Sequence, residues 1–258
     1  MKITTAGRTT NEMVEYAKLI SIQLSCDYVS RDKRSIEFLT NLYNDDFIVV
    51  GQNRLELHSI TSDNPFFFHP NSSLFRIKRI INNKKDPLVD ACELKPGDSF
   101  LDCTMGLGSD AIVASFIAGQ SGKVIGIESN KYIAFIVNEG LQRYVYDINK
   151  DIEESLRRIN VVNKNNLNYL KDQTSSTFDI VYFDPMFSKS IEISNGINKI
   201  RNLADYATLT DEVFVEALRV AKRKVVIKEH YKSEIFNHFN LNVDKRKTSL
   251  FHFGYVNK

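Results

Sequence analysis

Two places in the sequence put carboxylates where they can act on a bound ligand. The first is the run from Asp102 through Gly106 and Gly108 to Ala111, DCTMGLGSDA. It follows a short apolar run and opens a helical one, and its glycines let the backbone approach a ligand closely. Glu128 stands 20 residues after Gly108, at the end of the next apolar run, with Ser129 beside it. An acid there accepts hydrogen bonds from two ribose hydroxyls. Asp102 discriminates among nucleotide ligands, because a carboxylate so close to the loop repels a pyrophosphate but tolerates a cationic sulfonium with an amino-acid tail. The second place is FDIVYFDPMF, residues 178–187, where strand formers end abruptly in Asp184, Pro185, Met186 and Phe187. The Asp184 carboxylate and a carbonyl aimed by Pro185 make two acceptors for the protons of an exocyclic amine, which turns the lone pair of that amine toward an electrophile. Phe187 offers a face on which a base can stack. The alternative for this stretch is a turn opened by Asp-Pro, with Phe187 merely packing.

The elements that must position these residues alternate. DSFLDC (98–103), GKVIGIES (122–129), RINVVN, FDIVYF and KRKVVIKE read as strands. GSDAIVASFIAG (108–119), KYIAFIVNEGLQRYVYD and DEVFVEALRVA carry helical periodicity. Strand–helix alternation predicts an α/β fold, a mostly parallel sheet with helices on both faces. FNLNVDKRKTSLFHFGYV reads instead as two strands around a basic turn, an antiparallel hairpin at the sheet edge. Ahead of this part, Met13, Ala17, Ile20 and Leu24 fall at helical spacing, DDFIVVGQNRLELHSI reads as a hairpin, and PFFFHP as a short strand. Asn71 is placed to N-cap a helix through SSLFRIKRII. The stretch from Asn82 to Lys85 is the most linker-like, which divides the chain into a small N-terminal α+β domain (1–85) and a larger one (86–258).

The spacing Asp-x-x-x-Gly-x-Gly resembles the first motif of class I S-adenosylmethionine-dependent methyltransferases. That resemblance implies that Asp102, Gly106 and Gly108 shape the methionine side of the site and that Glu128 holds the ribose. Asn165, in VVNKNNL, stands where such enzymes often carry an Asp that touches the adenine amine. Asp184-Pro185-Met186-Phe187 resembles the Asp/Asn-Pro-Pro-Tyr/Phe motif of enzymes that methylate exocyclic amines of nucleobases. Taken together, LDCTMGLGSDAIVAS, IESN, NEGLQR, VYFDPMF and RKVVIK are similar in order and spacing to the RsmJ family, which methylates the N2 amine of a guanine in bacterial small-subunit ribosomal RNA. The resemblance runs from about residue 65 to 258. It implies a Rossmann-like sheet ending in an antiparallel strand, S-adenosylmethionine as cofactor, and ribosomal RNA as partner. The chain departs from the family after Phe187, in SKSIEISNGINKIRNLAD, and again at Glu229-His230-Tyr231.

Composition sets the frame. The chain has 258 residues, 43% of them hydrophobic and 26% charged, with a formal net charge of +2. That is an ordinary globular balance and too mild to identify a nucleic-acid partner by itself. Cys26, Cys92 and Cys103 are odd in number and lack CxxC spacing, so neither a zinc site nor a disulfide framework is expected. Reduced thiols, no apolar core in MKITTAGRTT and no membrane-length apolar run point to the cytoplasm. No His/Cys/acid cluster supports a metal. Basic residues gather locally: Arg76, Lys78, Arg79, Lys84 and Lys85 without an acid, with Arg76 and Arg79 three apart on one helix face. RNA contacts are expected from Arg76, Arg79, Arg201 and Lys228, the last at the end of a buried strand. The reading is thus a cytoplasmic guanine-N2 methyltransferase of ribosomal RNA. Alternatives are methylation of adenine N6 or another amine by the same site, and a non-catalytic RNA-binding protein on this fold.

Overall fold

The computed structural model describes residues 1–62, 64–146, 149–185, 209–247 and 249–258. The first third builds a four-stranded sheet from β1 (Lys2–Thr5), β2 (Asp27–Tyr28), β3 (Phe47–Val50) and β4 (Leu55–His58), in the order β2-β1-β3-β4. Helices α1 (Asn11–Leu24) and α2 (Ile36–Tyr43) lie between the strands. On α1, Met13, Ala17, Ile20 and Leu24 are buried, as their spacing predicts, and Thr10 caps the helix by accepting from the Met13 N–H. The β3–β4 hairpin forms in antiparallel register, with Phe47 opposite His58.

Two local expectations need correction. PFFFHP forms no strand and contributes a single bridge, Phe66 to Leu57, because its flanking prolines cannot donate to a ladder. Helix α3 (Asn71–Ile81) has Pro70 at its N-cap position, with no side-chain cap, so Asn71 is its first helical residue and not its cap.

The remainder alternates as expected: α4 (Pro87–Cys92), β5 (Ser99–Asp102), α5 (Ser109–Ala118), β6 (Lys123–Glu128), α6 (Lys131–Arg143), α7 (Lys150–Arg157), β7 (Ile159–Asn163), α8 (Asn166–Asp172), β8 (Phe178–Phe183), α9 (Asp211–Val220), β9 (Ala221–His230), α10 (Ile235–His238), β10 (Asn242–Asp244) and β11 (Phe251–Asn257). The seven strands order as β10-β11-β9-β8-β5-β6-β7. Strands β9, β8, β5, β6 and β7 pair in parallel, and β11 runs antiparallel to both β9 and β10. The chain therefore switches direction across the sheet between β5 and β8, where open α/β sheets bind ligands beyond the carboxyl ends of their strands.

Apolar side chains on one face of this sheet, such as Phe100, Ile180, Tyr182 and Val226, belong to one cluster with Ile3 and Leu57 of the small sheet and Ile20 of α1. The opposite face packs Leu101, Val181, Phe183 and Ile227 against Val213, Phe214 and Ala217 of α9. Fully buried strands with apolar residues on both faces explain why β5 and β8 read as continuous apolar runs. Cys26, Cys92 and Cys103 are free thiols. Among the described residues no helix is long and apolar enough to cross a membrane.

Candidate active site

The loop after β5 is fixed from both sides. The Cys103 N–H donates to the Tyr182 carbonyl at 2.9 Å, and the Met105 N–H to the Ile127 carbonyl at 3.0 Å, so β8 and β6 both hold it. Asp102, 2% exposed, accepts the Thr104 N–H at 3.0 Å through Oδ1. Burial, reinforced by the negative charge of Asp110, pushes the Asp102 carboxyl up to about 8 against that hydrogen bond. Gly106 and Gly108 have φ of 49° and 73°, the left-handed region that glycine enters without strain. A Cβ built on Gly106 would meet no described atom within 4 Å, so the loop opens outward onto space. The Gly106 N–H donates to Glu128 Oε2 at 3.2 Å, and the Asn130 N–H donates to Oε1 at 2.9 Å. Two backbone amides thus fix Glu128 at the rim of the same opening. An open glycine turn between a deep carboxylate and a rim carboxylate suits a ligand with a cationic end and a diol.

Ser129 and Asn165 stand on the same edge. The Ser129 carbonyl accepts from the side chain of Asn163, which ends β7. Asn165 N-caps α8, its Oδ1 accepting from the Leu167 and Asn168 N–H groups at 3.0 and 3.4 Å. The amide oxygen expected to meet an adenine amine is thus already engaged in starting the helix.

Beside the loop, β8 ends in Asp184 and Pro185. The Asp184 N–H donates to Thr104 Oγ1 at 2.6 Å, which ties the two motifs together. Its carboxylate, 28% exposed, is held by Lys228 of β9, with Nζ 2.5 Å from Oδ2. Behind it lies a chain of charges. Lys228 also reaches Asp110 Oδ2 at 3.3 Å, where the Tyr182 hydroxyl donates at 2.7 Å. The guanidinium of Arg76 donates to Asp110 Oδ1 and grips Asp86 with two bonds of 2.8 Å. Asp110 sits in the first turn of α5, where the helix dipole favours an anion. Burial alone would raise Asp110; Lys228 and Arg76 reverse this and hold it well below the ordinary carboxylate range. Lys228 is raised despite its burial, because Asp110 and Asp184 face it. For Asp184 burial prevails: its carboxyl lies above the usual value although Lys228 opposes the shift.

The structure therefore brings Asp102, Gly106, Gly108, Glu128, Ser129, Asn165, Asp184, Pro185 and Lys228 to the carboxyl edge of the central strands. Arg76 needs a correction. It was expected to face RNA beside Arg79, but its guanidinium turns inward to Asp86 and Asp110, where two carboxylates satisfy it. Arg79 stays on the surface, its guanidinium 5.9 Å from the ring of Phe75, itself 62% exposed. Phe187, Met186 and Arg201 lie outside the described residues. Sequence reading missed Asp86, Thr104, Asp110 and Tyr182. The signals were faint: KDPLVD has the form of an Asp cap followed by Pro at the first helical position, and Tyr182 is the one hydroxyl in an apolar strand.

Comparison with known proteins gives the family and the fold. Residues 35–251 match the family described as "Putative SAM-dependent methyltransferase". An uncharacterized Bacillus subtilis protein, YpiP, is 42% identical over 98% of both chains. Ribosomal RNA small subunit methyltransferase J of Francisella philomiragia is 27% identical over 74% of this chain and 80% of its own length. The Haemophilus influenzae protein of that name is 32% identical over 50% and 49%. Among solved structures, the SAM-dependent methyltransferase NGO1261 of Neisseria gonorrhoeae superposes with a TM-score of 0.64 over 100% of this chain and 96% of its own, at 16% identity, a likeness of fold.

Proposed function

Since this chain belongs to the S-adenosylmethionine-dependent methyltransferase family, we propose that it methylates the exocyclic N2 amine of a guanine in small-subunit ribosomal RNA. S-adenosylmethionine is the cofactor, and when bound it supplies an electrophilic methyl group. The names of the Francisella and Haemophilus relatives support RNA as the substrate. The observation that carries the reading is the position of Asp184-Pro185: directly beyond β8, hydrogen-bonded to the loop after β5 and ion-paired to Lys228.

In this reading Lys228 fixes the Asp184 carboxylate through Oδ2, and Oδ1 accepts one proton of the amine. The Pro185 carbonyl accepts the other. Both bonds keep the lone pair out of conjugation with the ring and aimed at the methyl donor. They strengthen as positive charge develops on nitrogen, so they favour the transition state over the ground state. Asp184, with its carboxyl raised by burial, is placed to take the proton that the methylated amine releases. Glu128 and the glycine turn hold the cofactor, and Phe187 stacks on the captured base.

Asp184 variants test this on ribosomal RNA isolated from a strain lacking the gene. Asp184→Ala should abolish methyl transfer. Asp184→Asn, which keeps an acceptor without charge, should lose about 10²–10³-fold in rate. Both should bind S-adenosylmethionine nearly as the parent does. Full turnover by Asp184→Ala would end the mechanism, and nuclease digestion with mass spectrometry identifies the modified base.

A further inference from the structure

We propose that the end of β9 and the turn before β11 form a second RNA subsite, a groove that stacks an unpaired base flanking the target nucleotide and grips its phosphates. The inference rests on the function proposed above. It begins with a sorting of the C-terminal cations, which form one basic population in the sequence. Most are consumed internally. Arg219 binds Glu216 and the carbonyls of Leu170 and Gln173. Arg223 pairs with Asp98, and buried Lys224 with Glu93. Lys222 lies 3.8 Å from Asp179, and Lys228 belongs to the site. Lys232, Lys245, Arg246 and Lys247 pair with no carboxylate among the described residues, and all four flank one feature.

That feature is a groove of ≈ 450 Å³ lined by Tyr231, Arg246, Lys247, Ser249, Leu250 and His252. The β9–β11 ladder builds it. His230 stands opposite Phe251, and the Tyr231 N–H extends the pairing to the Leu250 carbonyl at 2.9 Å. Rings collect there: His230 and Tyr231 at 4.6 Å, Tyr231 and His252 at 5.9 Å, His230 and Phe251 at 6.1 Å. His252 Nε2 lies 3.3 Å from the Arg246 carbonyl oxygen, which seats the basic turn against the rings. Core packing does not account for Tyr231, which is 44% exposed with the ammonium of Lys232 5.5 Å from its ring centre. An exposed ring backed by half-buried ones, among cations that pair with no carboxylate among the described residues, suits single-stranded RNA, whose bases stack on aromatics while its phosphates meet Lys and Arg. A duplex offers no free base face.

Location connects the groove to the chemistry. Tyr231 follows by three residues Lys228, which touches Asp184, and a strand advances roughly 3.3 Å per residue. The groove thus opens about 10 Å from the reacting edge, beyond the same carboxyl end of β9, within reach of nucleotides adjoining the target.

The test measures methyl transfer to ribosomal RNA from a gene-deletion strain, with thermal melts confirming that each variant folds. Tyr231→Ala should raise KM for RNA about fivefold or more, the lower end expected for one lost base stack, while Tyr231→Phe, which keeps the ring, should stay near the parent. Arg246→Ala combined with Lys247→Ala should raise KM and reduce the slope of log affinity against log salt by about 1.4, at roughly 0.7 per single-strand phosphate contact. S-adenosylmethionine affinity should hold throughout. An unchanged KM in Tyr231→Ala, or equal damage from Tyr231→Phe, would overturn the groove while parental turnover left the functional reading standing. A parent that binds S-adenosylmethionine yet methylates no ribosomal RNA would overturn both.

Discussion

Lys228 Nζ lies 2.5 Å from Asp184 Oδ2 and 3.3 Å from Asp110 Oδ2, so the carboxylate that ends β8 is held from the neighbouring strand. Burial raises the Asp184 carboxyl and Lys228 opposes that rise. Replacing Lys228 by Met removes the opposing charge, so Asp184 should hold its proton to higher pH. The acid limb of the kcat–pH profile should then move upward by about one unit or more, since a close opposite charge shifts a carboxylate by roughly 1–3 units. Lys228→Arg keeps the charge and should leave the limb near its parental position. A limb that stays put in Lys228→Met would mean that Asp184 ionisation does not govern the rate.

Arg76 and Arg79 separate by experiment as they do in space. Arg76 joins α3 to α4 through Asp86 and to α5 through Asp110, and both carboxylates are buried. Arg76→Met leaves Asp86 without its cation and Asp110 with Lys228 as its remaining one. Removing one member of a buried pair destabilises by about 3–5 kcal/mol, and Tm should fall by many degrees. Arg79→Ala removes a surface group and should stay within about 0.5 kcal/mol in stability. On the proposed function its effect should appear in RNA affinity, read as KM and its salt slope. Equal stability of the two variants would refute the internal role of Arg76.

The contrast explains what was legible in the sequence. Strand and helix order emerged from periodicity because each buried element writes its pattern along its own few residues. The glycine turn, Glu128 and Asp184 emerged because their chemistry is local to strand ends. The network behind Asp184 did not. Lys228 was legible as the end of a buried strand, but Asp86, Asp110 and Tyr182 come from three other elements and reach it only when β8 and β9 pair and α4 and α5 pack beside them, so no spacing announces them. The same blindness misassigned Arg76. A basic run such as FRIKRIINNKK looks uniformly solvated until folding shows that one of its guanidiniums has two buried carboxylates within reach. PFFFHP misled in the opposite direction: strand-forming residue types were present, but the prolines at its ends left only one bridge to make.

Asp102 yields a prediction in which function and stability pull apart. Its carboxyl is pushed up to about 8 in the folded chain, chiefly by burial, whereas an unfolded Asp titrates near 3.9. For an acid whose folded pKa is raised, the favourable contribution is complete below the unfolded value and is lost as pH rises toward the folded one. Wild-type stability should therefore decline between about pH 4 and pH 8 through this residue. Asp102→Asn removes the titration yet keeps an oxygen for the Thr104 N–H. Its Tm should match the parent near pH 4, exceed it increasingly up to about pH 8, and hold a constant margin above that. The gain comes at the site. On the proposed placement of the methionine end beside Asp102, calorimetry above about pH 8, where this carboxyl is ionised, should find S-adenosylmethionine bound at least about tenfold more weakly, the scale of a lost charged contact. S-adenosylhomocysteine, which lacks the sulfonium charge, should lose less. Parallel Tm–pH curves for Asp102→Asn and the parent would show that this carboxylate keeps its ordinary ionisation on folding, and a buried anion would then have to be stabilised by partners beyond the Thr104 amide.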